Sequence, residues 1–83
     1  MSSDAITLYM AQKNGHFTVM DVPDIDLLEN LGVRSGASVS LQNRYAFGGP
    51  VVLKIENAYS VAIGKDIASQ IIVKEAAGDE PHS

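Results

Sequence analysis

Residues 51–63 read Val-Val-Leu-Lys-Ile-Glu-Asn-Ala-Tyr-Ser-Val-Ala-Ile, and they decide the fold class. Val51, Leu53 and Ile55 fall on one face and Lys54 and Glu56 on the other, the period of two that marks a half-buried strand. Asn57-Ala58 supplies a tight turn. The chain then returns with Tyr59, Val61 and Ile63 pointing inward. The stretch is predicted to be a β-hairpin with strands at 51–56 and 59–63.

Upstream, Ala46-Phe47-Gly48-Gly49-Pro50 is a loop, since two glycines and a proline do not fit a central strand. A positive φ is expected at Gly49, which would make Gly49→Val costly. Residues 37–45 form the clearest strand, with Val39 and Leu41 on one face and Ser38, Ser40 and Gln42 on the other. Arg34-Ser35-Gly36 is a turn. Pro23–Gly32 is the one convincing helix. Asp24 or Asp26 is placed to cap it, Asp26 and Glu29 have capping-box spacing, and Gly32 is placed to stop it in the left-handed conformation. At about two turns it is too short to stand alone and must dock on the sheet. His16–Val22 is a strand with Phe17 and Val19 on one face, preceded by an Asn14-Gly15 turn. Ile6–Met10 is a short strand or an extended lead-in. Downstream, Gly64–Gln70 is a turn with one helical turn, and Ile71-Ile72-Val73 closes the sheet.

These elements define an all-β domain with one short helix, best fitted by a small five-stranded Src-homology-3-like barrel whose closure would remove exposed edges. An oligonucleotide-binding-type barrel is the alternative, but it usually needs longer strands. Residues 6–74 form the domain. Residues 1–5 read as a flexible leader and 75–83 as a disordered acidic tail.

Composition narrows the function. The 83 residues are 46% hydrophobic and include no cysteine, so disulfides, thiolate metal sites and cysteine nucleophiles are excluded. No apolar run approaches the ~20 residues needed to span a bilayer, and the N-terminus carries no signal-peptide pattern, so a cytoplasmic protein without membrane insertion is expected. The net charge is −4, but the acidic tail carries most of it. Residues 1–74 hold seven acids and six bases. A nucleic-acid-binding module would show a basic stripe, and Arg34, Arg44, Lys54, Lys65 and Lys74 are instead scattered singly.

Catalysis has little to work with. His16 stands beside no serine motif, and a nucleophile needs an adjacent base. Phe47-Gly48-Gly49-Pro50 lacks the lysine and following helix of a phosphate loop. His16 and His82 do not make a preorganised metal site, and Asp21, Asp24 and Asp26 lack the spacing of a calcium loop. No enzyme activity, cofactor or metal ligand is assigned. Protein contact remains. Tyr45, Phe47 and Tyr59 flank the glycine loop and the next hairpin, where a Src-homology-3-like barrel presents aromatics to extended peptides. A two-turn helix cannot bury both sides, so Leu27 or Leu28 is left for a partner. Gly32, Gly36, Gly48, Gly49 and Pro50 shape the turns. The alternative for these apolar residues is ordinary core packing.

Leu28-Glu29-Asn30-Leu31-Gly32-Val33-Arg34-Ser35-Gly36 resembles the leucine, leucine-glycine-aliphatic, glycine segment of FeoA domains. Phe47-Gly48-Gly49-Pro50-Val51 is similar to that family's loop after the second long strand. Tyr59–Val73 resembles its closing segment: an aliphatic strand, a short helical turn with an alanine, and a final isoleucine-valine strand. The resemblance spans about residues 6–74. It implies a Src-homology-3-like fold and an accessory role in bacterial ferrous iron uptake, through contact with the cytoplasmic part of a membrane ferrous iron permease carrying a GTP-binding domain. That connection to iron leaves a transition-metal role open. Related domains end iron-dependent repressors, so a regulatory module partnering a metal-dependent transcriptional repressor is the alternative. A weak homo-oligomer is left open. The stretch after Val22 departs from the family, being acidic where many relatives are basic, which alters the complementarity expected of a partner.

Overall fold

The computed structural model describes residues 5–76. Alternation between apolar and polar side chains produces six strands: β1 (Ile6–Thr7), β2 (His16–Asp21), β3 (Ser38–Arg44), β4 (Val51–Ile55), β5 (Tyr59–Ile63) and β6 (Ile72–Glu75). They pair antiparallel in the order β1-β6-β2-β3-β4-β5. The last strand in sequence therefore lies between the first two. Residues at alternate positions (Phe17, Val19, Val39, Leu41, Val51, Leu53, Ile55, Val73) turn to one side and are buried. Leu8, Leu28, Val33 and Ile71 complete that core from the segments between strands. No polar or charged side chain is buried among the described residues.

The five-stranded closed barrel is not what forms. The sheet has six strands and two free edges, because β1 lasts only two residues before the chain tightens into a 3₁₀ turn at Leu8–Met10. A strand that short cannot extend along β5 to close the cylinder. Register shifts between Val19 and Asp21 on β2 and between Leu41 and Asn43 on β3 interrupt the ladders. Such bulges bend a strand and raise its twist, curving the sheet over its core.

The first helix, α1, is shorter than Pro23–Gly32 and spans Asp26–Leu31. Neither Asp24 nor Asp26 caps it through its side chain. Ile25 occupies the cap position with extended backbone, after a tight turn in which its N–H donates to Pro23 O at 2.8 Å. Asp26 and Glu29 instead sit in the first turn, where carboxylates face the positive end of the peptide dipoles. The C-terminus follows the sequence reading: Gly32 is left-handed at φ 86°, and Val33 N–H donates to Leu28 O at 2.8 Å, closing the helix as such caps do. The second helix, α2, is the single turn Lys65–Ala68.

Two further details differ from the sequence reading. The central residues of the β4–β5 hairpin are Glu56 and Asn57, at φ 52° and 60°, in place of Asn57-Ala58. Glu56 is held there by β3: its N–H donates to Ser38 O at 2.7 Å, and its carboxylate accepts from Ser38 N–H at 3.0 Å. The final strand reaches Glu75, opposite Phe17, and Ala76 N–H donates to His16 O. The expected leader through residue 4 and the acidic tail from residue 77 lie outside the described residues.

Candidate partner-binding surface

The β3–β4 loop is built by its own backbone. Tyr45 N–H donates to Pro50 O at 3.0 Å and Gly49 N–H to Ala46 O at 3.2 Å. Phe47 and Gly48 are both left-handed, at φ 60° and 76°. Gly49 is not, contrary to expectation. It must be glycine for room, since a Cβ there would sit 2.8 Å from the Tyr45 Cβ. From the other side the Tyr9 hydroxyl donates to Gly49 O at 3.3 Å. Arg44 Nη1 donates to Tyr9 O and Ala11 O at 3.1 and 2.6 Å. Lys65 places its ammonium 5.7 Å from the centre of the Tyr9 ring, a cation–π approach. The loop thus rests on the 3₁₀ turn and the start of α2.

What it displays is apolar. Phe47 has a relative exposure of 105%, Met10 of 72% and Tyr45 of 51%. Met10 was not singled out from sequence. Alternation over Ile6–Met10 suggests an extended segment, and the 3₁₀ turn is what turns this side chain outward while Leu8 goes to the core.

Tyr59 and the helix leucines form a different patch. Tyr59 was expected inward but is 46% exposed. It opens the edge strand β5, so its ring reaches past the core margin and its hydroxyl donates to Leu31 O at 2.6 Å, satisfying a carbonyl left over at the end of α1. Of the two leucines, Leu28 is buried at 1% and is core, so it is withdrawn as a contact residue, whereas Leu27 is 55% exposed. Tyr45 and Phe47 are not on this patch. β4 pairs with β5 from Val51–Ile63 at the loop end to Ile55–Tyr59 at the helix end. That is four residue steps, roughly 13 Å of strand.

The two ends differ in charge. Lys13, Arg44 and Lys65 lie on elements at the loop end, with Asp66 beside them. Asp21, Asp24, Asp26, Glu29 and Glu56 lie at the helix end, with Arg34. Among the described residues no three His, Asp or Glu side chains are gathered so as to hold a metal ion. No helix among them is long and apolar enough to cross a membrane. A shallow concavity of about 730 Å³ on the outer sheet face includes His16, Ser40 and Lys54 and reaches Glu56, but none of Tyr45, Phe47, Tyr59 and Leu27 lines it.

A curved six-stranded antiparallel sheet, two very short helices and exposed apolar side chains at both ends define a small β domain without a gathered set of reactive groups among its described residues. The chain belongs to the FeoA domain family, whose model matches residues 6–75. That family is associated with ferrous iron transport. Solved structures share the fold, among them the following three. An iron uptake regulatory protein (FeoA) is 19% identical, with 87% of this chain and 97% of that chain covered and a TM-score of 0.78. A FeoA-like protein from Clostridium acetobutylicum is 20% identical over 99% of this chain and 98% of that chain, with a TM-score of 0.75. A manganese-dependent transcriptional repressor in complex with manganese is 19% identical over 92% of this chain but only 39% of that chain, with a TM-score of 0.81. No curated protein matches the sequence.

Proposed function

We propose that this chain is an accessory protein of bacterial ferrous iron uptake that acts in the cytoplasm, by contact with the cytoplasmic part of a permease carrying a GTP-binding domain. The observation that carries this reading is membership of the FeoA family across residues 6–75, essentially the whole folded unit. The exposed apolar side chains at both ends of the sheet support contact as the mode of action, because large apolar groups left in water at a fixed geometry are what protein interfaces use.

The test is binding of the full chain to the permease's purified cytoplasmic domain, paired with uptake of ferrous iron in cells lacking the chain. Saturable binding and reduced uptake are expected. Absent binding together with unchanged uptake would refute the reading. A second reading, a regulatory module working with a metal-dependent repressor, is favoured by the fold shared with the manganese-dependent repressor. Co-purification with a DNA-binding protein in place of the permease distinguishes the two.

A further inference from the structure

We infer that the face meeting the partner is the Phe47 end of the molecule, and that Phe47 enters an apolar socket bordered by carboxylates. The inference rests on the reading just proposed and specifies its contact face. Three observations carry it. First, Phe47 is as exposed as in an open peptide, at 105%, and its backbone is left-handed at φ 60°. Few bulky side chains occupy that region, and strain kept at an exposed position marks function more often than folding. Burial cannot be the reason for this phenylalanine, because it buries nothing against the described residues.

Second, the ring stands on a rigid base. The Tyr45–Pro50 and Gly49–Ala46 hydrogen bonds, the Tyr9 hydroxyl on Gly49 O and the close packing of Gly49 on Tyr45 fix the loop before any partner arrives. A backbone already fixed loses little freedom on binding, which lowers the cost of docking the residue it carries. Tyr45 and Met10, both exposed, widen the apolar area around the anchor.

Third, the surrounding charge is positive. The Lys65 side chain runs beside the loop, with its Cδ 3.7 Å from where a Gly48 Cβ would be, and Arg44 and Lys13 are on neighbouring segments. Even with Asp66 beside them, this excess of positive charge around an apolar centre selects a socket whose rim is negative. The helix end, where Leu27 lies, carries five carboxylates against the single guanidinium of Arg34, and its net negative charge would be repelled by such a rim.

The experiment measures binding of the full chain to the permease's cytoplasmic domain by titration calorimetry at low and high salt. Asn tolerates the left-handed region far better than Phe, so Phe47→Asn removes the ring and keeps the loop. That variant is expected to melt at or above the parent temperature while affinity falls at least about tenfold, as for an anchor residue. Lys65→Glu is expected to weaken binding at low salt and to matter less at high salt. Leu27→Ser reports on the opposite end. Phe47→Asn binding within about twofold of the parent, or a loss of binding confined to Leu27→Ser, would overturn the inference while leaving the proposed function standing. A parent chain that does not bind overturns the inference, and if ferrous iron uptake is also unchanged in cells lacking the chain, the proposed function falls with it.

Discussion

Gly49 and Phe47 are two residues apart and exchange the roles their chemistry suggests. Glycine is the residue expected at positive φ, yet in this loop the phenylalanine takes that conformation and Gly49 serves to let the backbone pass close to Tyr45. Sequence marks the loop plainly through Gly48-Gly49-Pro50. It does not reveal which residue is left-handed, because the loop's internal hydrogen bonds decide that. Gly49→Ala is therefore expected to destabilise by about 1–3 kcal/mol, the cost of forcing extra atoms into a packed site; thermal or urea unfolding measures it. A second residue-scale prediction concerns Tyr59. Its hydroxyl satisfies Leu31 O, so Tyr59→Phe removes one hydrogen bond and should cost about 0.5–1 kcal/mol, near the lower end for such bonds because the site is half open to water. Alternation along 59–63 puts Tyr59 on the inward face. It cannot show that the strand lies at the edge, where an inward face meets solvent.

At the scale of the element, α1 is held by tertiary packing and not by its own propensity. Six residues make too few internal bonds to persist alone, and only Leu28 among them is buried. Leu28→Ala is predicted to cost about 2–5 kcal/mol, as large-to-small changes in packed cores do. Leu27→Ala, next to it and 55% exposed, should stay within about 0.5 kcal/mol of the parent. Chemical denaturation of the two variants separates these values cleanly. The helix's end was legible from Leu31-Gly32, since glycine at that position has one structural purpose. Its start was not: Asp24 and Asp26 offered two acidic caps, and the turn closed by Ile25 N–H and Pro23 O places the backbone one residue beyond the first and one short of the second. The same surface logic divides the contact candidates. Tyr45, Phe47 and Leu27 are exposed, and the choice between Leu27 and Leu28, open in the sequence, is made by which side of the short helix faces the sheet.

At the scale of the whole molecule, sequence gives away the inward-facing residues of β4, and those of β2 and β3 up to their bulges, because these stretches alternate. The sheet's closure was misread. Two residues, Ile6 and Thr7, pair with β6 where a longer strand was needed to complete a cylinder, and a two-residue strand leaves no periodicity to detect. The grouping of contact residues was equally hidden. Tyr59 is close in sequence to the glycine loop, but a hairpin sends it to the far end of the sheet, and only the register Val51–Ile63 and Ile55–Tyr59 reveals this. Charge separation between the ends became visible in the same way, since near-neutrality over residues 1–74 conceals it.

The position of β6 has a consequence for how the protein comes into being. The strand made last is inserted between two made early, bonded to β1 on one side and β2 on the other. A growing chain on the ribosome thus holds β1 without its pairing strand, and β2 with only its β3 side paired, until residues 72–75 have emerged. Folding from the N-terminus forward leaves the β1–β6–β2 side of the sheet incomplete until β6 is available. A chain ending at Ile71 is expected to show no cooperative melt and no dispersed amide NMR spectrum, although it retains every contact residue discussed above.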